Sequence, residues 1–145
     1  MNSQKEAPFL SGTFLAIIVQ ICRDYILRDK SGFIGEISMR IATYNVWDSD
    51  TGMPVRLQQL VDEIIEIKAD ILCLQEVSDP SKHDSFSSLC GYGDSHWQAQ
   101  TGLSILSRFP IEKTMDFEYG TSAYIQFKSR IILVINVHLP WEKSV

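Results

Sequence analysis

Three polar residues stand where apolar runs end, and their types could serve a metal site. Asn45 closes IATYN, Glu76 follows ILCLQ, and His138 follows the run Ile131, Ile132, Leu133, Val134, Ile135. A carboxylate supplies the hard oxygen that Mg²⁺ prefers, and that ion is often held by one or two carboxylates together with water and substrate phosphate. A histidine beside it could donate a hydrogen bond or move a proton near neutral pH. If the three strands are parallel neighbours, the side chains converge on one rim of the sheet, where open α/β sheets place ligands. Each residue also has an ordinary reading: Asn45 as a turn former, Glu76 as a solvated strand terminus, His138 as a hydrogen-bonded rim histidine. His83 and His96 lack partners at metal-ligand spacing and read as surface or packing residues. Spacing alone leaves both kinds of reading open.

The elements that must position these groups lie after Met39. MRIATYNVW is β-rich and ends in the loop Asp48-Ser49-Asp50-Thr51-Gly52. Leu57, Leu60, Val61, Ile64 and Ile67 then form an apolar stripe that predicts a helix over 54–68, with Pro54 in the first turn, where a missing N–H is harmless. DILCLQEV reads as a buried strand, Asp79-Pro80-Ser81-Lys82 as a turn, and Phe86 and Leu89 as a short helix closed by Gly91. HWQAQ, GLSILSR, MDFEY, SAYIQF and RIILVINVHL read as successive strands, which implies a mixed α/β sheet. The last is apolar at consecutive positions, so it is expected to be central and buried on both faces.

Residues 1–38 differ. Their charges balance (Lys5, Arg23, Arg28 and Lys30 against Glu6, Asp24, Asp29 and Glu36), so the net charge of −5 resides in the remainder. Leu15, Ile18, Val19, Cys22, Tyr25 and Ile26 have helical spacing, with Ser31-Gly32 as a stop. The apolar stretch from Phe9 to Cys22 is shorter than the roughly 20 residues of a membrane span. The expected division is therefore an N-terminal helical extension over 1–38 and one domain over 39–145. Met39 is the expected natural start, with the preceding segment an upstream extension.

A chain of 145 residues with 45% hydrophobic and 21% charged residues has the composition of one globular core. Its acidic balance disfavours tight non-specific binding to duplex DNA. Cys22, Cys73 and Cys90 fit neither a disulfide framework nor a Cys-x-x-Cys site. They read as buried thiols in a reducing compartment, which points to the cytoplasm.

In order, TYNVW, a helix, ADILCLQEV, GLSILSRFPI and INVHLPW resemble the first half of the endonuclease/exonuclease/phosphatase superfamily, the deoxyribonuclease-I-like fold. The resemblance implies half of a four-layer α/β/β/α sandwich, with a mixed sheet and flanking helices, to which the N-terminal helix is added. It implies a metal-dependent hydrolase of phosphate esters, a nuclease, phosphodiesterase or phosphatase. Glu76 becomes the main ligand to Mg²⁺, with Mn²⁺ as a substitute. Asn45 supports metal and scissile phosphate, and His138 contacts the phosphate and assists proton transfer or charge stabilisation. Gly102 and Ser107-Arg108 match a structural segment without a catalytic role. The substrate is a phosphate ester of nucleic acid, lipid headgroup or small molecule.

The family's later motifs, Gly-Asp-x-Asn and Ser-Asp-His, do not occur in these residues. The expectation is thus a truncated domain with at most trace activity, or alternatively a non-catalytic half-domain that binds a partner. A sheet face deprived of its other half would self-associate or destabilise the chain: about 500 Å² of uncovered apolar surface forfeits on the order of 12 kcal/mol.

Overall fold

The computed structural model describes residues 25–28, 34–37, 39–47 and 49–139. In chain order the elements are β1 (Tyr25–Arg28), β2 (Ile34–Ile37), β3 (Ile41–Asn45), α1 (Val55–Ile67), β4 (Ile71–Gln75), α2 (Pro80–Leu89), β5 (Asp94–Gln98), β6 (Leu103–Ser107), β7 (Ile111–Phe117), β8 (Gly120–Phe127) and β9 (Arg130–Val137). Among them, no helix is long and apolar enough to cross a membrane.

A four-stranded mixed sheet runs in the order β3-β4-β6-β5, with β3 and β4 parallel and the other pairs antiparallel. Alternation along its strands divides the side chains between two cores. On one face Ala42, Tyr44, Leu72, Leu74 and Leu106 meet the helices. The stripe of α1 buries Leu60, Val61 and Ile64 there, and the helix ends at Lys68 in the left-handed conformation, φ 53°. On the other face Ile71, Cys73 and Ile105 meet Ala123, Ile125 and Val134 of a three-stranded antiparallel sheet ordered β7-β8-β9. The architecture is the expected α/β one: a mixed sheet, helices, and a second sheet packed face to face with the first.

Several sequence expectations require correction. Tyr25 and Ile26, read as the end of a helix, lie in β1, which pairs antiparallel with β2. The run Tyr25-Ile26-Leu27 suits a short strand as well as a helix, and periodicity cannot separate them. Leu15 to Cys22 fall outside the described residues. Asp79-Pro80-Ser81-Lys82 is a helix start: the Asp79 carboxylate accepts from Lys82 N at 3.0 Å and Pro80 opens α2.

The largest correction concerns β9. It is an edge strand of the second sheet, antiparallel to β8, and it is neither central nor a parallel neighbour of β3 and β4. Val134 and Asn136 are buried against the first sheet, whereas Ile131, Leu133, Ile135 and Val137 face outward at 51%, 49%, 55% and 46% exposure. Among the described residues, the surface left uncovered is therefore the outer face of the three-stranded sheet. The face between the sheets, expected to lie bare, is filled by the chain itself.

Candidate active site

β3 and β4 end side by side, with Asn45 paired to Gln75 in the ladder. One residue later Glu76 adopts φ 61°. That left-handed conformation is uncommon for a residue with a side chain, and such conformations cluster at functional sites. Asn45 Nδ2 donates to Glu76 Oε1 at 2.8 Å, while Asn45 Oδ1 accepts from Trp47 N at 2.8 Å. The asparagine thus spans from the departing loop to the carboxylate and orients it. His138 enters from the second sheet: its N–H donates to Tyr119 O at 3.1 Å, extending the β8–β9 pairing, and its Nε2 lies 3.7 Å from Glu76 Oε1. The structure brings Asn45, Glu76 and His138 to one rim. The two sheets meet there, so convergence does not need the three parallel neighbours that the sequence suggested.

Glu76 and His138 open onto a cleft of about 580 Å³. Gly102 and the turn residues Glu118 and Tyr119 also line it. Gly102 stands at φ 64°, and a Cβ there would meet Val77 O at 3.1 Å. Val77 N donates to Gly102 O at 2.8 Å, so this close approach fixes the backbone next to Glu76. The phenol of Tyr119 is hydrogen-bonded to Glu118, which raises its pKa above the usual tyrosine value.

Several contributors were missed in the sequence. Arg56 on α1 donates to Ser49 O at 2.6 Å, to Trp47 O at 2.7 Å and to Val46 O, and its guanidinium lies 4.8 Å from the Trp47 ring centroid. It pins the loop leaving Asn45, and nothing in the local sequence signals that. Gln75 and Asn136 are buried amides inside otherwise apolar strands, a legible anomaly that the sequence reading passed over. His83 is buried, its Nδ1 2.8 Å from Ser104 Oγ and its Nε2 3.1 Å from Ser95 Oγ. His96 lies 2.8 Å from Asp116. Both fit the surface or packing role expected of them.

The donor set can be tested against Mg²⁺. One outward-turned carboxylate on an open cleft leaves room for the waters that Mg²⁺ retains, so Glu76 fits as a share of such a site. Asn45 is already engaged on both ends of its amide. Among the described residues no group of three or more His, Cys, Asp or Glu side chains could hold a metal by itself.

Two sheets packed face to face, with helices against one of them and polar side chains at their common rim, define an α/β sandwich. The chain matches the model of the Endonuclease/Exonuclease/phosphatase family over residues 42–137, and it belongs to that family, with its phosphoester-hydrolase-like fold. No curated protein matches the chain. Among solved structures it resembles the endonuclease/exonuclease/phosphatase family protein from Leptotrichia buccalis C-1013-b at a TM-score of 0.56 and 18% identity, covering 71% of this chain and 54% of that one. It also resembles a β-hairpin deletion mutant of beta toxin from Staphylococcus aureus at a TM-score of 0.55 and 18% identity, covering 72% and 51%. The chain spans about half the length of these structures.

Proposed function

We propose that this chain carries part of the active site of a metal-dependent phosphoester hydrolase. The observation that supports it is the cluster of Asn45 Nδ2, Glu76 Oε1 and His138 Nε2, with 2.8 Å and 3.7 Å between successive groups and with Glu76 and His138 lining one cleft. Glu76 would hold Mg²⁺ or Mn²⁺, with Asn45 orienting the carboxylate and standing beside metal and scissile phosphate. When bound, the ion supplies positive charge that offsets charge developing on the phosphoryl group. His138 contacts the phosphate by a hydrogen bond and can hold or pass a proton at Nε2. The phosphoryl group could belong to a nucleic acid, a lipid headgroup or a small molecule.

Turnover by these residues alone is at most trace, because the Gly-Asp-x-Asn and Ser-Asp-His segments that would orient water and complete the site are not among them, and catalytic groups that act as a unit fail together. The outer face of β7, β8 and β9 supports self-association of the chain. Cytoplasmic location is the compartment that suits Cys73 and Cys90, which are free and buried. Burial pushes the Cys73 thiol up to about 12 and leaves it inert.

Calorimetric titration of Mn²⁺ and Mg²⁺ into the full chain and its Glu76→Gln variant tests the metal assignment. We expect the substitution to weaken binding by about tenfold or more; equal affinity overturns it. In parallel, plasmid DNA, a lipid phosphodiester and a chromogenic phosphate ester report turnover. Robust hydrolysis that Glu76→Gln removes would show that this chain needs no further segment.

A further inference from the structure

Gln75 and Asn136 are 8% and 2% exposed and meet between the two sheets. Gln75 Nε2 donates to Asn136 Oδ1 at 2.7 Å and lies 2.9 Å from Thr43 Oγ1. Asn136 Nδ2 donates to the carbonyls of Leu74 at 2.8 Å and Ser104 at 2.9 Å. Burying two amides is costly unless their polar atoms find partners, and here both amide nitrogens and Asn136 Oδ1 are engaged. Beside Thr43 and the buried Thr121, which pairs with Asn136 in the ladder, the layer between the sheets is an apolar cluster of Ile71, Cys73, Ile105, Ala123, Ile125 and Val134. Apolar contact is non-directional and tolerates sliding of one sheet over the other, whereas this set of hydrogen bonds does not. Among the described residues, apart from the Glu76–His138 contact itself, the links of His96 to Asp116, Gln98 to Phe117 O and Ile111 N to Asp94 Oδ2 run between β5 and β7, away from the β4–β9 crossing.

The location gives the pair a consequence. Gln75 immediately precedes Glu76, and Asn136 precedes His138 by two residues on the same strand face. We infer that the Gln75–Asn136 amide pair is a positioning device that sets the separation of Glu76 and His138 across the two sheets. The pair touches no substrate; it acts through the register of β9 against β4. Register setting is the best-attested use of buried polar groups, and apolar replacements of similar shape often leave stability unchanged or higher. The catalytic consequence rests on the proposed phosphoester site, but the separation itself does not.

The test uses the full chain with isotope-labelled histidine, without metal. The His138 ring resonances are compared with and without Glu76→Gln, in the wild type and in Gln75→Met/Asn136→Leu. Both amides then become apolar side chains of similar size, so neither is left without the other, while the Leu74 and Ser104 carbonyls and Thr43 Oγ1 lose an amide donor. We expect the double variant to unfold cooperatively, at lower stability than the wild type because those acceptors lose their donors. The shift that Glu76→Gln produces in the His138 ring should fall by more than about half in that background, as a double-mutant cycle across a loosened contact requires. An undiminished shift in the folded double variant overturns the inference. Should that variant not fold, Gln75→Met alone, which keeps the bonds of Asn136 to Leu74 and Ser104, is read by the same criterion. Mn²⁺ added afterwards separates the two claims. Absence of Mn²⁺ broadening at His138 in the wild type counts against the metal reading, while the metal-free shift still decides the positioning role. If Mn²⁺ does bind, the double variant should weaken it by about tenfold.

Discussion

The four-stranded sheet is covered on both faces and the three-stranded sheet on one, yet the strands that show this, β4 and β9, look alike as sequence. ILCLQ in β4 is buried at every position. RIILVINV in β9 is buried only at Val134 and Asn136. A continuous apolar run therefore marks a strand that could be covered on both faces, and only the fold decides whether both covers are present. For β4 the covers are the helices and the second sheet; for β9 the described residues supply one.

The difference should be large when measured as stability. Leu72 is fully buried against the helices, whereas Leu133 is about half exposed on the outer face. Leu72→Ala should destabilise the chain by about 2–5 kcal/mol, because lost transfer energy and a residual cavity add. Leu133→Ala should cost less than about 1 kcal/mol, since most of its surface already meets water. Urea denaturation of both variants compares them directly. Equal losses would break the comparison and show that the outer face is packed in solution.

This asymmetry also explains which parts were legible. β3, α1 and β4 could be read because each carries its own periodicity, and a parallel β-α-β unit follows from their order. Asn45 and Glu76 could be placed together for the same reason, as neighbours at the ends of adjacent strands. His138 was assigned to the right rim by a mistaken route: its strand belongs to the other sheet, and it reaches Glu76 through sheet packing. No local pattern encodes which sheet an apolar strand joins. Gln75 and Asn136 were legible in principle, since an amide within an apolar run must find buried partners. The start of α2 was available from Asp79-Pro80 as well, a cap followed by proline at the first helical position.

A smaller effect sharpens the contrast through pH. His83, a buried residue of α2, is held between Ser104 and Ser95, and burial holds its pKa below the usual histidine value of 6.5. Asp84 opposes that shift and His96 reinforces it. The unfolded chain thus binds a proton that the folded chain resists. Stability from this group is complete above about 6.5, and it is lost as pH falls below that value toward the lowered folded pKa. The slope should not exceed about 1.4 kcal/mol per pH unit. Urea midpoints measured between pH 7.5 and 5 should fall with pH in the wild type and flatten in His83→Gln. An unchanged slope in His83→Gln would move the titration to another group. The three-stranded sheet carries no buried histidine among its described residues, so the effect should belong to the helix-covered side.

The smallest change in stability is expected on the outer face itself. Leu133 and Ile135 lie at 49% and 55% exposure on an edge strand, and across β8 from them Met115 and Phe117 on β7 stand at 47% and 44%. A contiguous apolar face of this kind is where soluble chains associate, and lysine on an edge strand is a common natural safeguard against it. Leu133→Lys/Ile135→Lys should therefore alter the unfolding free energy of dilute protein by no more than about 0.5 kcal/mol per site. The same change should remove the concentration-dependent sedimentation expected of the wild type. The two readouts divide the alternatives: a loss well above that size in dilute protein would mean the face is covered within the chain, and identical sedimentation would mean it does not drive association. An analogous pair in the first sheet offers no such choice. Leu72 and Leu106 face each other in the ladder at 0% exposure, so lysine there would bury charge without a partner and unfold the chain.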